Sequence, residues 1–277
     1  MDISTPVDTL DFIKGIFLSH FPDQSPAFTE KVFKGVERLF AGEYEGYLAS
    51  DTAYHDFKHT CEASVALARL LDGYIKSGQP PHLSARDFEL ALAAILLHDS
   101  GFMKETGDDE GTGAKYTVTH VERSGQFAAK FLPPYGVTED EIRLVRLAID
   151  CTGIQVSVDS LPFRSPRERF LSCALGTGDI LGQMAAPDYP ERLPGLYREF
   201  VEAISHSEDK TWIAGYESEA DLLKKTRGFY EKYVQHMLDE EWDGVYKSLE
   251  YHFEDSRNLY LEAIEKNIDR IDALSES

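Results

Sequence analysis

Residues 98 and 99 are His-Asp, and they close the apolar run Leu90-Ala-Leu-Ala-Ala-Ile-Leu-Leu97. A run of that composition is buried once folded. Placing an imidazole and a carboxylate side by side at its end is costly unless a partner satisfies both. A divalent metal is one such partner, and three other parts of the chain carry matching groups. Tyr54-His55-Asp56-Phe57-Lys58-His59 spaces two histidines four apart, which on a helix puts them on one face a turn apart. His120 follows in Thr119-His120-Val121-Glu122-Arg123-Ser124. Asp179 sits in Gly176-Thr-Gly-Asp179-Ile-Leu-Gly182, among Phe170, Leu171, Ala174, Leu175, Ile180 and Leu181. A carboxylate in that setting needs a specific partner.

The elements that must position these groups read as helices. Ser165-Pro166-Arg167-Glu168 combines a capping hydroxyl, a proline at the first helical position and a glutamate at the third. Thr138-Glu139-Asp140-Glu141 is a second capping box, ahead of the periodic Ile142, Val145, Leu147 and Ile149. Ser84-Ala-Arg-Asp87 opens the helix that ends at His98-Asp99, and Ser25-Pro26 opens one that runs to about Phe40. Val65, Ala68, Leu71 and Ile75 give helical spacing to the segment from about Asp56 to Ile75. From Leu193 to about Leu274 the pattern predicts several long amphipathic helices, with Phe229, Tyr230, Tyr233 and Met237 as core packing. Alternating strand patterns are not evident, and the fold class expected is all-α. Without a repeat, a low-complexity segment or a clear linker, residues 1–277 read as one domain. The loop Glu105-Thr-Gly-Asp-Asp-Glu-Gly-Thr-Gly113 holds three glycines in nine residues, and it reads as a mobile segment beside the His-Asp pair. It lacks the Gly-Lys-Ser/Thr ending of a phosphate cradle.

Charge narrows the partners. Twenty-eight basic against forty-nine acidic residues give a net charge of −21, with no basic stripe, so a nucleic-acid polymer and an anionic membrane are poor partners. Acidic stretches such as Asp239-Glu240-Glu241 serve solubility. Cys61, Cys151 and Cys173 are odd in number and far apart, which argues against a disulfide framework and fits a reducing cytoplasm. Met1-Asp-Ile-Ser-Thr-Pro6 shows no signal peptide, and the longest apolar run is eight residues, short of the roughly 20 that span a bilayer. The C-terminal amphipathic segment has the character to pack on its own domain or on a second subunit, so an oligomer is allowed.

Taken in order, His … His-Asp … Asp resembles the HD-domain superfamily of metal-dependent phosphohydrolases, with the pattern on His59, His98-Asp99 and Asp179. Leu-Leu-His-Asp-Ser-Gly at the end of an apolar helix is similar to that family's wording, and Tyr-His-x-x-x-His resembles the opening motif of its cyclic-nucleotide phosphodiesterase branch. The resemblance covers about residues 50–205 and implies an HD-domain helical bundle with additional C-terminal helices. It implies a first divalent metal on His59, His98, Asp99 and Asp179, with Asp99 bridging to a second. Mn, Fe, Zn, Co, Ni or Mg all suit such ligands. It also implies a phosphate monoester or phosphodiester substrate, a nucleotide among the candidates, attacked by a metal-activated hydroxide. His55 matches the position of a general acid for the leaving oxygen. His120 would be a ligand of the second metal or a group behind the ligands. Lys104, Lys115 and Arg123 would offer positive charge to a phosphate.

The chain departs from relatives in three places. Branches with a fully protein-ligated second iron carry a further His after His120, where this chain reads Ala148-Ile-Asp-Cys-Thr-Gly-Ile154. Asp56 stands where the phosphodiesterases have Asn, and Ser100 to Lys104 lacks their next His. Cyclic-nucleotide specificity therefore does not carry over. The alternatives are a non-catalytic metal-binding regulatory module and, behind it, a di-iron oxygenase on the same scaffold.

Overall fold

The capping signals open helices where they were expected. The computed structural model describes residues 5–153, 156–207 and 215–275. Met1 to Ser4 of the N-terminal reading and Ile154 of the 148–154 stretch lie outside them. Among the described residues the fold is all-α, with a single isolated β-bridge between Tyr47 and Glu105. The long helices are α1 (Pro6–His20), α2 (Ala27–Phe40), α3 (Phe57–Ser77), α4 (Ala85–Leu97), α5 (His120–Phe131), α6 (Glu139–Asp150), α7 (Pro166–Met184), α8 (Tyr189–His206), α9 (Glu219–Phe229) and α10 (Leu259–Ser275). Ser84, Thr138 and Ser165 each accept from the backbone N–H three residues on, and the first two complete reciprocal capping boxes.

One reading changes. His55 is not on α3, because Asp56 has extended backbone (φ −105°, ψ 179°) and caps the helix by accepting from His59 N at 2.9 Å. The capping carboxylate ends the helix before the first histidine can join it. The stretch after α9 runs through π-helical turns at Tyr230–Val234 and Met237–Glu241 and a 3₁₀ segment at Val245–Tyr251.

Helix α3 lies at the centre, against α1, α4, α7 and the Val245–Tyr251 segment. Its residues His59 to Tyr74 are buried almost without interruption, as are Phe88 to Leu97 of α4 apart from Glu89. The close contact of α3 with α7 depends on glycine. A Cβ on Gly182 would stand 2.7 Å from Ala63 Cα, and one on Gly178 would stand 2.9 Å from Leu67 Cβ. That approach lets groups on α3 and α7 reach each other.

Gly182→Ala tests the spacing. Alanine should gain up to about 1 kcal/mol of helix propensity, but the clash falls on backbone atoms, and overpacking costs roughly 1–3 kcal/mol. The expected result is net destabilisation in urea denaturation together with weaker binding of Mn(II) by calorimetry. A variant as stable as the parent, with the same affinity, would remove the spacing from this account.

Candidate metal centre and its cavity

Four of the singled-out side chains converge. His59 enters from the first turn of α3, His98 and Asp99 from the end of α4, and Asp179 from the middle of α7. His59 Nε2 is 3.3 Å from Asp99 Oδ2 and 3.1 Å from Asp179 Oδ1. His98 Nε2 is 3.2 and 3.4 Å from the same two oxygens. His59, His98 and Asp99 form the tight group, their ligand atoms all within 4.8 Å of one another, and Asp179 joins through the two imidazoles. Ligand atoms about 2.1 Å from one ion, at cis or tetrahedral angles, stand roughly 3.0–3.4 Å apart. The nitrogen–oxygen separations therefore suit a shared ion.

Hydrogen bonding supports the same arrangement. His98 Nδ1 donates to the Ile95 carbonyl at 2.6 Å, which turns Nε2 toward the carboxylates, where it would bind an ion on losing its proton. His98 Nε2, Asp99 Oδ2 and Asp179 Oδ1 are buried and have no hydrogen-bond partner. Orphaned polar atoms of this kind are costly, and here three of them meet at one point. A divalent cation fits the donor set.

Charge behaves accordingly. Burial favours the neutral ring of His59, yet the nearby carboxylates of Asp179 and Asp99 push it up to about 9. Burial likewise opposes the charged form of His98, but the charges of Asp99 and Asp179 hold it well above the usual histidine range. Against the same opposing burial, His98 and His59 hold both carboxyls well below the usual carboxylate range. Two imidazolium protons thus balance two carboxylates.

A second set of groups borders the first. His120 opens α5, and its Nδ1 donates to the Thr117 carbonyl at 2.6 Å, so Nε2 faces Asp99 Oδ1 at 3.8 Å. Burial holds His120 below the usual histidine range, as a neutral ligand requires. Gly101 makes this possible. A Cβ there would sit 2.0 Å from the His120 carbonyl oxygen. His55 Nδ1 is 2.5 Å from Oε2 of Glu199 on α8, and Glu199 Oε1 accepts from the backbone N–H groups of Tyr54 and His55. The ring of Phe102 stacks on those of His55 and His120 at 4.6 and 4.5 Å.

The expected phosphate-binding cations lie elsewhere. Lys104 Nζ bonds Asp51 at 2.8 Å and the Gly111 carbonyl at 2.7 Å. Lys115 pairs with Asp108 and bonds the Glu110 carbonyl. Arg123 donates to the carbonyls of Gly101 and Met103 at 2.7 and 2.9 Å and lies over the Tyr116 ring. All three brace the segment after Asp99. The 105–113 loop, expected to be mobile, is tied by these pairs, by Tyr116 on Asp108 and by Thr112 on Glu202. Its groups are held by Lys104, Lys115, Tyr116 and Glu202 outside it, which a glycine count does not reveal.

His55, His59, Asp99, His120 and Asp179 line one end of a cavity of about 330 Å³. Phe229 and Tyr233, read from sequence as core packing, form part of its wall. Helical periodicity marks an inward face without showing whether protein or a ligand meets it. Glu199 was missed entirely, since an acidic residue in Tyr197-Arg-Glu-Phe200 carries no local signal of burial.

His98→Ala and Asp179→Asn should each cost on the order of a hundredfold or more in Mn(II) or Zn(II) affinity by calorimetry, with the fold retained. Loading the parent protein at pH 7 should release close to two protons, from His59 and His98, when measured in buffers of different ionisation enthalpy. The release should shrink as pH rises past about 9, because a ring already neutral has no proton to give up. Metal uptake without proton release at pH 7 would place the ion elsewhere.

No curated protein matches the sequence. A family model described as Npun_R2479-like matches residues 40–252, a span that holds every group of the centre and its cavity. The chain belongs to the Npun_R2479-like family.

Proposed function

We propose that this protein is an HD-type metal-dependent phosphohydrolase that cleaves a phosphate monoester or phosphodiester. The supporting observation is the convergence of His59, His98, Asp99 and Asp179, with three buried ligand atoms left without any other partner. Mixed imidazole and carboxylate donors suit Mn, Fe, Co or Zn. A divalent ion there supplies an activated water and neutralises charge on phosphoryl oxygens.

The chain's own residues supply the rest. Asp99 turns Oδ2 toward His59 and His98 and Oδ1 toward His120, the posture of a bridging carboxylate. His120 is then the ligand this chain offers to a second ion. Cys151, in the stretch that lacks a further histidine, is buried with its thiol held above the usual range by burial, and Thr152 donates to the Ile149 carbonyl. Neither supplies a sixth protein ligand, which favours hydrolysis over di-iron oxygen chemistry. His55 borders the same cavity end. Glu199 accepts from its Nδ1 and fixes the ring's orientation, so that Nε2 is placed to hand a proton to the leaving oxygen. No helix among the described residues is long and apolar enough to cross a membrane, and three free, buried cysteines fit a cytoplasmic protein.

His55→Asn should lower kcat roughly 10²–10⁴-fold on alkyl phosphate esters without changing metal content. Esters of 4-nitrophenol should lose far less, because that leaving group needs no proton. Glu199→Gln should show the same split at smaller size. Equal losses on both ester types would show that His55 does not act as the acid. Absence of hydrolysis by the Mn(II)-, Co(II)- or Zn(II)-loaded parent across mono- and diesters would overturn the proposal.

A further inference from the structure

Away from the metal-facing end, the cavity wall is apolar and aromatic. Ile180 of α7, Leu193 and Leu196 of α8, Leu222 and Phe229 of α9, and Trp242 make up much of it. No lysine or arginine lines it among the described residues. Lys104 is committed to Asp51 and the Gly111 carbonyl, Lys115 to Asp108, Arg123 to the carbonyls of Gly101 and Met103, and Arg192 to Asp56 at 2.9 Å and the Tyr54 ring. Among the described residues, a bound phosphoryl group would therefore find positive charge in the cavity only at the histidines and the ion they would hold. Further phosphates would lie against hydrocarbon without a counter-charge, which is strongly unfavourable.

Trp242 adds an independent observation. Its indole lines the cavity and packs against α7 at Gly176, where a Cβ would come within 2.7 Å of the ring. Gly176 precedes Asp179 by three residues, about 4.5 Å along the helix axis. The wall beside the metal centre thus presents a broad aromatic surface, the usual form of a small-molecule site.

We propose that the substrate carries a single phosphoryl group on a bulky, largely apolar or aromatic alcohol, and that this alcohol portion fills the cavity against Trp242. Nucleoside polyphosphates and sugar phosphates are then poor substrates. This inference rests on the phosphohydrolase reading above.

The test compares esters with matched leaving groups on the Mn(II)-loaded full chain. 2-(1-Naphthyl)ethyl phosphate and its methyl diester should be hydrolysed with kcat/KM at least a hundredfold above glucose 6-phosphate and its methyl diester, and above ATP. Comparable rates on glucose 6-phosphate or ATP would overturn the inference and leave the phosphohydrolase reading standing. If no ester is hydrolysed, that reading fails instead. Binding then decides the cavity's ligand: 2-(1-naphthyl)ethylphosphonate should bind at least tenfold tighter than ethylphosphonate by calorimetry, and equal affinities would refute the inference. Leu196, partly exposed on α8, provides a further readout. Leu196→Lys should cut the naphthyl preference at least tenfold at unchanged metal content, and an unchanged preference would place the ligand outside the cavity.

Discussion

Two carboxylates, the buried Asp99 and the half-buried Asp179, stand at the meeting point of α4 and α7, and each faces the same two imidazoles. Buried carboxylates in an apolar core demand positive charge close by, because desolvation otherwise costs several kcal/mol per ion. The surrounding architecture meets that demand. Glycines 178 and 182 let α3 come near enough to α7 for His59 to reach Asp179. The end of α4 places His98 and Asp99 together, and Gly101 lets the next turn abut α5 so that His120 faces the outer oxygen of Asp99. Arg123 holds that turn by its carbonyls.

The centre and the cavity divide the labour of the proposed reaction. Polar groups gather at one end, where phosphoryl chemistry needs charge. The remainder of the wall is mostly hydrocarbon and aromatic ring, with Gln183 and a few threonines among them, and α8 and α9 contribute much of it. A site built this way would select for the group attached to the phosphate through burial rather than through ion pairing. In the proposed reaction the charge that matters is local, so the acidic balance of the whole chain does not oppose it.

Much of this was legible in the sequence. His98-Asp99 was visible because polar residues interrupt an apolar helical run, and Asp179 for the same reason. Ser84, Thr138 and Ser165 marked helix starts through chemistry confined to four residues. What was not legible depends on distant partners. Asp56 ending α3 ahead of His55, Glu199 reaching back from α8, and Lys104, Lys115 and Arg123 bracing a loop each depend on a residue chosen by the tertiary fold. Phe229 and Tyr233 show a different limit, since periodicity cannot tell a core from a cavity wall.

The most direct measurement is anomalous X-ray scattering from crystals of the protein saturated with Mn(II), recorded on both sides of the metal's absorption edge. The account predicts a peak about 2.2 Å from His59 Nε2, His98 Nε2, Asp99 Oδ2 and Asp179 Oδ1 together. No peak between those atoms at saturation, or a peak held by other residues, would contradict it.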